Sequence, residues 1–142
     1  MKTKIVIVGS LLLLTMLVVA ACGGSTSNDS GLANPASENC VEQGGQVNIE
    51  QRGDGGEYGV CLFEDNMQCE EWAMMRGDCP VGGIRVTGYV TDAARYCAIS
   101  GGTYEVTGTD DSGEEQGSCT LPDGTTCDVW DYYNGQCSAD SS

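Results

Sequence analysis

Residues 69–79 read "CEEWAMMRGDC" and residues 127–137 read "CDVWDYYNGQC". Each segment opens and closes on cysteine, carries an acid next to the first cysteine, and ends G-x-C. Trp72 and Trp130 occupy the same place in the two. Working outward, the cysteines stand at 40, 61, 69 and 79, then at 97, 119, 127 and 137, with gaps of 21, 8 and 10 followed by 22, 8 and 10. Cys40 leads three residues later into Gly44-Gly45, as Cys97 leads into Gly101-Gly102. Gly59-Val60-Cys61 answers Gly117-Ser118-Cys119. Internal similarity at fixed spacing is the mark of a duplicated unit. The extra residue of the second unit is assigned here to its acidic, glycine-rich loop.

A unit of about 40 residues cannot bury enough apolar surface to stand unaided. Eight paired cysteines supply the remedy if the chain is exported, with two disulfides per unit. Four cysteines allow three pairings, and spacing does not choose among them. Zinc and iron–sulfur sites usually draw on closer cysteine pairs, C-x₂₋₄-C, and the closest pair here is C-x₇-C. Thiol redox catalysis favours C-x-x-C, which is also missing.

Within a unit, "PASENCVEQGG" predicts a short helix, with Pro35 in its first turn and Gly44-Gly45 as its stop. "QVNIE" and "TYEVT" alternate like strands, and "GVCLF" and "GSCTL" are the return strands. A second helix follows, carrying Asp128, Trp130 and Asp131 in the second unit, with Thr125 or Thr126 as its cap. The expected fold is α+β: a small disulfide-rich helix–hairpin–helix module, duplicated in tandem. Residues 84–91, "IRVTGYVT", alternate like one more strand or form an extended linker.

The chain opens "MKTKIVIVGSLLLLTMLVVAAC". A charged start, an apolar run and small residues before Cys22 have the layout of a secretory signal. Val19-Ala20-Ala21-Cys22 resembles the lipobox of bacterial lipoproteins, which implies cleavage before Cys22 and a lipid on its thiol. The expected organisation is a signal over 1–21 and a lipid-anchored tether over 22–34. Cysteine-rich repeats follow over 35–80 and 92–138, with a connector over 81–91 between them and a tail over 139–142. Removing the signal removes both lysines and leaves four arginines against 21 acidic residues, a net charge of −17. Such a field repels nucleic acid and anionic lipid. The chain contains no histidine, which excludes Ser-His and Cys-His nucleophile pairs and histidine metal sites.

The string C-x₃-GG, G-x-C, C-[ED]-x-W and G-x-C resembles the bacterial domain of unknown function 333, in both units and over nearly everything after the tether. The resemblance implies a small exported or lipid-anchored protein. Some members carry the label "hemolysin-related", and no catalytic residues are established for the family. Direct lysis does not suit this sequence, since nothing after Cys22 supplies a basic amphipathic helix.

A domain this small needs its large aromatics inside, so Trp72 and Trp130 are read first as core and second as binding anchors, with Tyr132 and Tyr133 beside them. Two Arg-Gly-Asp tripeptides, at 52–54 and 76–78, are read as products of an Asp- and Gly-rich composition rather than as adhesion motifs. The loop carboxylates Asp54, Glu57, Asp110, Asp111, Glu114 and Glu115 are candidate ligands for weakly held calcium, without the spacing of an EF-hand. No other cofactor is expected. A unit this small leaves little room for a cleft around paired carboxylates, so no enzyme is expected. The expected function is binding or envelope interaction at the bacterial cell envelope. Cys22 would hold the membrane, an envelope or extracellular protein is the expected partner, and nucleic acid is not. The alternative is an acidic, cation-collecting structural component, with protease inhibition behind both.

Overall fold

A computed structural model describes residues 34–139. Helix α1 (Pro35–Glu42) starts where the Asn34 side chain accepts a hydrogen bond from the Ala36 amide at 3.0 Å. That bond satisfies one of the amides a helix start leaves free. The helix stops at Gly44, whose φ of 86° suits glycine alone among ordinary residues. Strands β1 (Gln46–Gln51), β2 (Glu57–Phe63) and β3 (Met67–Glu70) then form an antiparallel meander, and helix α2 (Glu71–Arg76) closes the unit. A two-residue strand β4 (Ile84–Arg85) pairs with β3 at the sheet edge. The second unit repeats the plan with α3 (Asp92–Ile99), β5 (Thr103–Thr109), β6 (Glu115–Thr120), β7 (Thr126–Asp128) and α4 (Val129–Tyr133).

Three features differ from the expectation. Each unit holds a three-stranded meander rather than a hairpin, because β3 and β7 pair Cys69 with Cys61 and Cys127 with Cys119 across the sheet before the last helix starts. That last helix is therefore capped by the carboxylate that ends the strand. Asp128 accepts from the amides of Trp130 and Asp131, and Thr126 lies in β7. The extra residue of the second unit falls in a strand. The register of β5 shifts between Val106 and Gly108, so Thr107 bulges and the two loops close alike, Arg52 to Gly56 and Asp110 to Glu114. Of residues 84–91, only Ile84 and Arg85 are strand.

The disulfides join Cys40 to Cys61, Cys69 to Cys79, Cys97 to Cys119 and Cys127 to Cys137. The first bond of each unit ties its first helix to the middle strand, and the second ties the third strand to the exit of the last helix. The double glycine of the repeat follows from this. A Cβ on Gly102 would lie 2.6 and 2.8 Å from the sulfurs of Cys119 and Cys97, and Gly45 is equally crowded by its own bridge. The first glycine ends the helix, and the second lets the backbone pass against the disulfide.

Each unit has a small core around its cysteines. A third cluster lies between the units, where Tyr96 and Ile99 of α3 pack on Tyr58 and Val60 of β2 and on Val86. Helix α3 thus has two apolar faces, one for its own sheet and one for the sheet of the first unit. In α1 the positions of Tyr96 and Ile99 hold the polar residues Asn39, half-buried, and Glu42, exposed. In the second sheet the positions of Tyr58, Val60 and Leu62 hold Gln116, Ser118 and Thr120. Both ends of the tandem therefore present polar faces, the usual way a repeat array is terminated.

A polar clamp borders the junction. Arg95 of α3 is ion-paired with Glu50 of β1 and donates to Gln68 at 2.9 Å, while the Tyr58 hydroxyl donates to Glu50 at 3.0 Å. Burial pushes the Glu50 carboxyl up, but the hydrogen bond and charge of Arg95, with Tyr58 and Asn48, outweigh it and hold Glu50 below its ordinary 4.5. A lowered carboxylate stabilises the fold above 4.5, and that stability is lost as the pH falls through the folded value. Glu50→Gln is therefore expected to cost about 2 kcal/mol at neutral pH, with the gap to wild type narrowing under acid. Urea titrations at a series of pH values check this. A gap that persists unchanged into acid overturns the role given to the charge.

Candidate functional site

Docking α3 on the first sheet leaves a cleft of about 570 Å³ at the junction. Its floor is formed by Tyr58 and Gly59 of β2, Tyr96 of α3, Ser100 just beyond it, and Tyr132 of α4. Its mouth carries Ile49, Arg52, Trp72 and Arg76, with Glu57 exposed at the rim. Neither unit could form this cleft alone.

Two glutamates are buried along one wall, and both are fully engaged. Glu70, 8% exposed, caps α2 by accepting from the amides of Trp72 at 3.1 Å and Ala73 at 2.7 Å. Burial pushes its carboxyl up, and those two amides work in the opposite sense. Glu71, 3% exposed, accepts from Asn34 at 2.7 Å and Ser37 at 2.6 Å, which fastens the start of α1. Gly59 is required here, since a Cβ would collide with the Glu71 carboxyl. In the second unit the same trio reads Thr91, Ala94 and Val129: Thr91 caps α3 by accepting from the Ala94 amide at 3.1 Å, and Val129 belongs to the apolar core.

The donors of the cleft are engaged too: Arg52 with the Tyr96 hydroxyl and Ser100 with the Tyr132 hydroxyl. Ser100 is 5% exposed. Its polar neighbour is Tyr132, whose hydroxyl burial pushes up to about 12. Another guanidinium nitrogen of Arg52 is held by Asp54 at 3.1 Å, and Arg76 Nε by Asp78 at 2.9 Å. Each Arg-Gly-Asp tripeptide therefore closes on itself.

The residues singled out from the sequence fall in different places. Trp72 is 41% exposed at the mouth of the cleft, contrary to the core reading, because α2 spans only six residues and turns Ala73 and Met74 inward instead. Trp130 is half-buried against the second core, its Nε1 donating to the Glu115 carbonyl at 3.2 Å. Tyr132 lines the cleft, and the Tyr133 hydroxyl donates across the junction to the Gln51 carbonyl at 3.1 Å. Asp54 accepts from the Gly56 amide, and Glu115 accepts from the Tyr104 hydroxyl. Asp110 closes its own turn by accepting from Ser112 and Glu114, which holds it below the usual carboxylate range. Asp111 and Glu114 are exposed. Among the described residues, no three acidic, cysteine or histidine side chains are grouped so as to hold a metal ion. Likewise, no helix there is long and apolar enough to cross a membrane. Cys22 lies outside the described residues. Sequence reasoning missed Arg52, Tyr96 and Ser100 as site members. The signal was present in the replacement of Asn39 and Glu42 by Tyr96 and Ile99.

A family model described as Domain of unknown function (DUF333) matches the chain twice, over residues 31–78 and 88–136, together more than half of its length. Comparison with curated proteins and with solved structures found no match.

Proposed function

The chain belongs to the DUF333 family, as a tandem of two copies, and from that premise we propose that it is a non-catalytic binding module, held on the outer face of a bacterial membrane by a lipid on Cys22. The observation that carries the binding reading is the junction cleft, with an exposed tryptophan and two arginines at its mouth. Exposed tryptophan beside arginine is a composition favoured at binding hot spots. The anchoring reading rests on the run of residues 1–22. Acyl chains on one cysteine would place both units outside the membrane, and the acidic charge would keep them off anionic headgroups.

Two measurements test this. Expression in a bacterial host with a labelled fatty acid should give a labelled, membrane-associated protein, and Cys22→Ser should abolish the label and release the protein from the membrane. A labelled Cys22→Ser protein would remove the anchor from the reading. Separately, the oxidised chain would be immobilised and exposed to envelope and culture-fluid material. Ligand retained by the wild type should be lost with Trp72→Ala, with the fold checked by the retained disulfides and far-UV circular dichroism of the variant. Equal retention by the two would exclude the cleft as the binding site.

A further inference from the structure

We propose that the groove between α1 and β1 is a docking site for Leu32 of the same chain, so that the segment entering α1 is fastened to the fold two residues before the helix cap.

The groove has a volume of about 610 Å³ and is lined by Asn34, Ser37, Glu38, Val41 and Glu42 along α1 and by Val47 of β1. Its apolar surface comes from the two valines, and Val41 is 62% exposed. The repeat shows what belongs there. Val41 and Val47 stand where the second unit has Ala98 and Tyr104, and Ala98 is only 4% exposed. In the second unit the segment ahead of the helix lies against the matching strand. Tyr89 meets Tyr104 edge to face, with ring centroids 6.2 Å apart, and packs on the junction cluster. Leu32 precedes Cys40 by the same interval as Tyr89 precedes Cys97. The two family matches begin at 31 and 88, one residue before each of these side chains. Leu32 lies just ahead of the described residues, and between Cys22 and Asn34 it is the one large apolar side chain. Asn34 lines the groove and is held by Glu71, and two residues of chain reach about 7 Å, so Leu32 starts within range. A segment already joined to the fold has an effective concentration of roughly millimolar or more. A second copy, equally acidic, would be opposed by Glu38 and Glu42 at the groove, whereas Leu32 brings no charge. On the anchoring reading, docked Leu32 leaves residues 23–31 between the lipid and the fold, about 30 Å at full extension. That consequence rests on the anchor, and the docking itself does not.

The test uses the oxidised chain with labelled leucine and valine methyl groups. Leu32 should show nuclear Overhauser contacts to the methyls of Val41 and Val47. Leu32→Ser should move both valine signals and leave Leu121 and Val129 of the second core in place. Thermolysin, which cuts ahead of accessible leucine, should cleave the Gly31–Leu32 bond about tenfold faster in Val41→Asp than in the wild type. Cleavage ahead of Leu62 and Leu121 should stay equal in the two, which separates release of Leu32 from unfolding. Missing contacts from Leu32 to both valines would overturn the proposal, as would equal cleavage ahead of Leu32 in the two proteins. Valine signals that shift on dilution would give the groove to a second copy, and signals that shift with a blocked lysine- and leucine-rich peptide would give it to a foreign segment. Either would overturn docking by Leu32. Failure of the anchoring reading is seen separately, in the fatty-acid label on Cys22.

Discussion

Replacing Cys97 and Cys119 together with alanine is expected to lower stability by roughly 3.4 kcal/mol, against roughly 2.7 kcal/mol for Cys127 and Cys137, from chain entropy alone. The difference follows from loop size: the first pair closes a separation of 22 residues and the second a separation of 10. Both sulfurs of the larger loop are fully buried, so the alanine pair also leaves unfilled volume. The bond fastens α3 to β6, and α3 is the helix that covers the first sheet. Its loss should therefore loosen both units. Urea unfolding of the wild type and the two double variants gives the ranking. Proteolytic mapping of the oxidised protein gives the pairing, and a peptide linking Cys40 to Cys69 or Cys79 would overturn it.

Tyr96→Ala is expected to cost roughly 3–4 kcal/mol and to uncouple the two units. Tyr96 is buried at the centre of the junction, with ring centroids 4.8 Å from Tyr58, 5.2 Å from Tyr132 and 5.7 Å from Tyr133. Edge and tilted ring pairs of this kind contribute beyond the area they bury. Because the units share this cluster, the wild type should unfold in one cooperative transition. With the ring removed, each unit keeps its own disulfide core and the transition should broaden or divide. Tyr96→Phe, which keeps the packing and loses only the hydroxyl's bond to Arg52, should keep the single transition with a small loss of stability. Differential scanning calorimetry reads all three. A single Tyr96→Ala transition at the wild-type temperature would show that the junction does not couple the units. Since Tyr96 also floors the cleft, Tyr96→Ala should weaken ligand capture along with cooperativity.

Much of the local structure was legible. The duplication stood in the cysteine spacing, and Gly44-Gly45 was legible as a helix stop, although only Gly44 serves as one and Gly45 makes room for the disulfide. The strands of each hairpin could be read because alternation along a strand is a property of neighbouring residues. The extra residue of the second unit was assigned to the loop because a bulge hides in an alternating run: Thr107 lies between Val106 and Gly108, and only the partner strand reveals the shift. Trp72 was misplaced because a one-and-a-half-turn helix buries only one narrow stripe, and composition cannot say which residues that stripe contains.

The sequence by itself determined the repeat, its acidic surface and the places where its helices end, since each rests on contacts or chemistry a few residues apart. Only the tertiary structure decided which cysteines pair, that α3 serves two sheets at once, and that Arg52 and Ser100 meet in one cleft. These depend on which surfaces face each other across the fold. A helix with Tyr96 and Ile99 on its second face announces an unmet partner, but the partner was named only when β2 of the other unit offered Tyr58 and Val60 opposite it.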